Sequence, residues 1–331
     1  MSQGQPPATT GLRAGPVGVV DSGVGGLSVL RHLRAELPAE RFLYFADQAH
    51  IPYGPRPAAE ILAFTAAITR FLLARRAKLI VVACNTATTA ALDSLRQLFP
   101  DTPFVGMEPA VKPAAAQTRS GVVGVLATPG TFNSDRYASL MARYAAGIQV
   151  YEDPCVGLVQ LIEAGDVDGE APRALLWRVV APMLAAGADT LVLGCTHYPF
   201  VRPLLDEIAD AGVAIEQPPA DVARHLHEIV EHPALGGRGV LHPDRHLRQQ
   251  RFQHPRRREV IGGPDLAHVG GDGFLRLGAV DREAVDQPLR IRKDVLAQPG
   301  HRQVGQHLVG RVQAFQVGRG ARHRDQVAVC M

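Results

Sequence analysis

Lys78-Leu-Ile-Val-Val-Ala-Cys-Asn-Thr-Ala-Thr-Thr-Ala-Ala-Leu92 decides the fold: an apolar run of strand length stops at Cys84, and helix-forming sequence begins at once. Cys84 is thereby placed on a strand-to-helix turn. Ligands of open α/β sheets collect at the carboxyl ends of strands, where loop backbone and helix N-termini offer unpaired N–H groups. A thiol there is expected to be accessible and acidified. The construction returns 111 residues later (195 − 84) in Asp189-Thr-Leu-Val-Leu-Gly-Cys-Thr-His-Tyr-Pro-Phe200, with Pro199 opening the next helix. Two strand-end cysteines suggest one site approached from two sides.

Around these stretches, strand and helix alternate. Pro16 to Val20 reads as a buried first strand, and Asp21-Ser-Gly-Val-Gly-Gly26 as the turn into a helix over 27–37. The glycines fall at 23, 25 and 26, and Ser28 stands where a dinucleotide fingerprint needs glycine, which argues against that reading. The turn instead suits a small zwitterion, with Asp21 for an ammonium and bare backbone N–H groups for a carboxylate; a turn that merely needs glycine is the plain alternative. Strands over 41–47, 78–83, 103–107, 121–127, 148–151, 189–194 and 213–216, separated by helical patterns, predict parallel sheets covered on both faces. The expected architecture is α/β: two similar parallel-sheet domains face each other across an active-site cleft, followed by an atypical basic C-terminal tail. The expected boundaries are a flexible leader over 1–14, a first domain over 15–108 joined by 220–235, a second over 109–219, and the tail over 236–331.

The 331 residues, 46% hydrophobic and 20% charged, suit two ordinary globular domains. Four cysteines without regular spacing argue for a reducing compartment, hence the cytoplasm, over a disulfide framework. The leader lacks the charged and apolar regions of a signal peptide, and no apolar run reaches the roughly 18 residues of a membrane span, so no membrane partner is expected.

A free thiol titrates near 8.5, so only about 3% is thiolate at pH 7 without help. Asp21 leaves its strand on the same edge as Cys84, His197 lies two residues past Cys195, and Glu152, at the end of its strand, is expected within reach of the second site. Two activated thiols are what a two-base reaction needs, one removing a proton from a carbon and the other returning one to the opposite face. Inert packing is the competing reading for one buried cysteine, and a weaker one for two with a threonine close behind each. No C-x-x-C or H-x-x-x-H spacing brings four ligands together for a metal, and the C-x-x-C that a redox dithiol would prefer is absent. Cys155 reads as structural and Cys330 as incidental.

Asp21-Ser-Gly-Val-Gly-Gly-Leu27, Ile51-Pro-Tyr-Gly54, Cys84-Asn-Thr-Ala87, Thr128-Pro-Gly-Thr131 and Gly194-Cys-Thr-His-Tyr-Pro199 together resemble bacterial glutamate racemases, of the aspartate/glutamate racemase superfamily, over about residues 16 to 231. The resemblance implies cofactor-independent interconversion of L- and D-glutamate for peptidoglycan synthesis and cell shape. By similarity Cys84 is the base towards D-glutamate and Cys195 the base towards L-glutamate, assisted by Asp21, Glu152 and His197. Asp21, Ser22, Tyr53, Gly54, Asn85, Thr86, Thr196 and His197 match the substrate contacts, with glutamate as the small-molecule partner and no cofactor or metal. A homodimer is left open. The competing readings are an acidic amino-acid binding protein without turnover and a racemase of a related amino acid such as aspartate.

The tail departs from the resemblance. It holds 17 of the 35 Lys and Arg but 9 of the 32 Asp and Glu, so it carries +8 where residues 1–235 carry −5. A nucleic-acid appendage would fit that charge, but aromatics are nearly absent and no module pattern occurs, so no nucleic acid is expected. A solvated disordered tail and a shifted translation frame near residue 235 remain, the second preferred. Either predicts a poorly packed segment that adds nothing to catalysis.

Overall fold

The computed structural model describes residues 15–209 and 211–217, helical positions 222, 226 and 230, and strand residues 315–316 and 327–330. The expected leader, most of the segment expected to return to the first domain, and most of the tail lie outside the described residues.

Two sheets form. In the first, β1 (Val17–Asp21), β2 (Phe42–Ala46), β3 (Leu79–Val82) and β4 (Phe104–Gly106) run parallel in the order β4-β3-β1-β2. Helices α1 (Gly26–Glu36), α2 (Ala58–Ala74) and α3 (Asn85–Leu98) connect them. After α4 (Val111–Gln117) comes the second sheet, in which β5 (Val122–Ala127), β6 (Gln149–Asp153), β7 (Thr190–Gly194) and β8 (Ala214–Glu216) are parallel in the order β6-β5-β7-β8. Its connections are α5 (Pro129–Phe132), α6 (Asp135–Tyr144), α7 (Leu158–Glu163), α8 (Glu170–Ala185), a 3₁₀ turn over Tyr198–Val201 and α9 (Arg202–Ile208).

The strands form because they are continuous β-branched and leucine runs, buried on both faces: Val17, Val19, Ile80, Val81 and Val82 are all fully buried. One apolar cluster gathers Val20, Ile80 and Val82 with α2 and α3, and another gathers Val123, Val125 and Val192 with α4 and α6. The largest unites Val19 and Val81 under α1 with Leu193 and the apolar sides of α7, α8 and α9, and it also takes in Val222 and Leu226. That shared core joins the two halves along one side. Among the described residues no helix is long and apolar enough to cross a membrane.

One expectation is corrected. The helix expected over 132–145 is broken at residues 133–134, where the Ser134 hydroxyl accepts the Tyr137 N–H and starts α6 afresh. Within the tail, β9 (Phe315–Gln316) and β10 (Val327–Cys330) are described; β10 lies parallel to β2, with Val327 opposite Phe42. The two β-branched valines of Val-Ala-Val-Cys suit a strand lying between β2 and β9, a local signal hidden by the charge around it.

Asp189, which precedes β7, ties the second sheet to the loop before β5. Its carboxylate accepts the Thr118 and Thr190 hydroxyls at 2.6 and 3.0 Å and the N–H groups of Arg119 and Ser120, both at 2.8 Å. Burial would raise its pKa, but these four donors hold the carboxyl well below the usual range. A depressed folded-state pKa gives stability that is present above the unfolded value, near 3.9, and is lost as pH falls. Asp189→Ala is therefore expected to lower Tm at pH 7, with the gap to the native protein closing as the pH drops below 4. Thermal unfolding across that range checks it.

Candidate active site

The carboxyl ends of the central strands of the two sheets meet. Asp21 ends β1, Cys84 follows β3, Thr128 follows β5 and Cys195 follows β7. Cys84 is the N-cap of α3, its Sγ accepting the Ala87 N–H at 3.5 Å, while its thiol donates to Ser22 Oγ at 3.7 Å. Asp21 is 0% exposed; it accepts the Gly23 N–H at 2.9 Å on Oδ1 and, on Oδ2, the Thr196 hydroxyl of the opposite half at 3.1 Å. Burial raises the Asp21 carboxyl, against the pull of His197 and the Gly23 N–H. The Cys84 thiol is pushed up to about 12, first by burial and then by the Asp21 charge. The expected accessible, acidified thiol is therefore corrected: Cys84 is only 5% exposed, and one helix N–H does not outweigh desolvation beside a carboxylate.

The second thiol has different company. Cys195 Sγ lies 3.7 Å from His197 Nδ1, and His197 Nε2 lies 2.6 Å from Glu163 Oε1. The His197 ring, 2% exposed, is lowered by burial but raised well above its usual pKa by hydrogen bonds to Cys195 and Glu163. Burial would raise Glu163, yet His197, Gln48 and the Val24 N–H together hold it down. Glu163 and His197 thus form an ion pair, and an imidazolium is the cation a thiolate pairs with.

Glu163, at the end of α7, was not singled out from the sequence, and it takes the place expected for Glu152. Glu152 lies on β6 opposite Val125, on the face covered by α6, where the Tyr137 hydroxyl donates to its Oε1 at 2.8 Å. Alternation along the strand turns it to that side. The available signal for Glu163 was a lone acid closing the apolar stretch Leu158-Val-Gln-Leu-Ile162 before Gly165.

The remaining expected contacts surround the thiols. Asn85 follows Cys84, and both its buried side-chain atoms, Oδ1 and Nδ2, make no hydrogen bond among the described residues. A buried amide left unpaired is costly, which marks it as held for something that enters the site. Thr86 Oγ1 meets Thr128 Oγ1 across the cleft at 2.7 Å. Ser28, also buried, donates to the Thr196 carbonyl at 2.9 Å. Tyr53 donates to Asp47 at 2.6 Å, and Gly54 lies against Thr128.

The Asp21–Gly26 turn approaches the opposite half so closely that side chains do not fit. A Cβ on Gly25 would fall 2.4 Å from His197 Nδ1, and one on Gly23 would fall 2.1 Å from Glu163 Oε1. Both glycines are there for contact distance.

A family model described as Asp/Glu/Hydantoin racemase matches residues 17–219. Glutamate racemase of Pseudomonas paraeruginosa is 57% identical over 220 residues, 66% of this chain and 83% of that protein. Glutamate racemase of Stutzerimonas stutzeri is 54% identical over 217 residues, 66% and 82% of the two chains. Among solved structures, Escherichia coli glutamate racemase in complex with L-glutamate and the activator UDP-MurNAc-ala aligns with a TM-score of 0.61 at 38% identity, over 66% of this chain and 83% of its own. The Francisella tularensis enzyme in complex with D-glutamate gives 0.59 at 33%, over 68% and 83%. With the family model spanning both sheets and both strand-end cysteines, the chain belongs to the Asp/Glu/hydantoin racemase family.

Proposed function

We propose that this protein interconverts L- and D-glutamate by a two-base mechanism, with Cys84 and Cys195 on opposite faces of the substrate's α-carbon. The observation that carries the reading is the pairing of two buried strand-end thiols, each with its own ionisable partner and near enough for the charge of Cys195 to bear on Cys84. The names of the relatives, glutamate racemases at 54 and 57% identity, support glutamate as the substrate.

The partners differ in sign, and the difference assigns a direction. Cys195 stands beside the His197 imidazolium, and we assign it as the base towards L-glutamate. Cys84, beside Asp21, keeps its proton and is the resting acid. L-glutamate then loses its α-proton to Cys195 while Cys84 delivers one to the other face, giving D-glutamate. The bond from Cα to hydrogen breaks on one side and re-forms on the other, with both electrons staying on carbon. Afterwards Cys84 is thiolate and Cys195 thiol, the state that accepts D-glutamate. Asp21 and the turn amides fit the ammonium and a carboxylate, and Asn85, Thr86 and Thr196 fit the remaining oxygens. The exchange uses only protein side chains; its D-glutamate product would serve peptidoglycan synthesis in the cytoplasm.

Cys84→Ala and Cys195→Ala should each lower racemisation by at least about a hundredfold, the range a general base supplies, with the fold intact. Polarimetry of both enantiomers reads this, and more than about a hundredth of the native rate surviving in either variant would count against the scheme.

Glu163→Gln and Glu152→Gln separate the two acids. The first should cost at least about tenfold in kcat by weakening the imidazolium, since losing one charged hydrogen bond is worth about 1.5 kcal/mol or more. The second should stay within about threefold of native.

A further inference from the structure

We infer that Gln48 is a positioning residue that holds Glu163 in the Glu163–His197–Cys195 relay from the opposite half of the molecule. The inference rests on the racemase reading and names a residue for which neither the sequence motifs nor the family likeness assigns a role.

Every expected contact around the thiols is buried: Cys195, the most exposed of the two cysteines, Asp21, Ser22, Asn85, Thr86, Thr196 and His197, is at 7%. Gln48 lies in the loop that follows β2. There its Nε2 donates to Glu163 Oε2 at 3.0 Å, across the cleft.

The Glu163 carboxylate collects three donors, of which two come from the opposite half. Oε1 accepts the Val24 N–H at 2.7 Å and faces His197 Nε2 at 2.6 Å; Oε2 takes Gln48. Without Val24 and Gln48, Glu163 would be left with His197 alone. Both donors favour the ionised acid, and so the imidazolium beside Cys195. The opposite half therefore completes the ion pair. Val24 contributes through its backbone, so Gln48 is the side chain through which the coupling can be changed.

The variants are Gln48→Ala and Gln48→Glu, assayed as full-length protein with both glutamate enantiomers. Gln48→Ala is expected to lower kcat about five- to tenfold with KM within about twofold, because Gln48 touches none of the expected substrate contacts. Gln48→Glu, which sets a second carboxylate against Glu163, should lose more. In a Glu163→Gln background, Gln48→Ala should add less than about twofold, since its acceptor is already uncharged. Gln48 is half-buried on a loop, and an unchanged melting curve separates these effects from misfolding. Native kcat in Gln48→Ala, or losses that multiply in the double variant, would overturn the inference and leave the racemase reading standing. A native protein inert towards both enantiomers would overturn both.

Discussion

The site depends on a contact between the halves at two glycines of the turn after β1. Gly23 presses against Glu163, and Gly25 against Thr196 and His197, at distances that admit no β-carbon on either glycine. Through this contact Asp21 reaches Thr196, the Val24 N–H reaches Glu163, and Ser28 reaches the Thr196 carbonyl. Each half thus holds the chemistry of the other in place. The shared core that joins the halves, with Val24 and Leu27 packed among Leu158 and Ile162, holds them at the separation that these hydrogen bonds, short and running between the halves, need.

A second consequence is electrostatic. Burial alone would neutralise every ionisable group in the cleft, and the site escapes this by pairing charges unequally. Glu163 and His197 hold each other ionised beside one thiol. Asp21, with only N–H and hydroxyl donors in contact, stands near the other and opposes its ionisation. One thiol beside an acid and one beside a cation suit a two-base exchange, and the asymmetry comes from Asp21 at the end of β1 and His197 after β7.

The architecture and both cysteines were legible in the sequence because the signals are local. An apolar run that stops at Cys84 or Cys195 and turns into a helix fixes a strand end without knowledge of the partner. Glu163 was not legible, since its importance comes from Val24, 139 residues away, and His197, 34 residues away. Glu152 misled because a strand end alone does not say which face a side chain takes; one residue of register sends it to Tyr137. The state of Cys84 was misread for a related reason: the helix N-terminus is visible in sequence, but the burial that outweighs it is a property of two halves closing. β10 was hidden because its two valines sat inside a segment judged by its charge.

The central claim is that two bases act on opposite faces of one carbon, and the isotope content of early reaction mixtures in D₂O tests it most directly. Starting from L-glutamate, the α-carbon of newly formed D-glutamate should carry deuterium while unreacted L-glutamate remains protiated, since Cys195 removes the proton and Cys84 delivers the solvent-derived one. Chiral separation followed by mass spectrometry reads both pools. Deuterium entering recovered L-glutamate as fast as D-glutamate forms would mean that one base serves both faces, and would contradict the account.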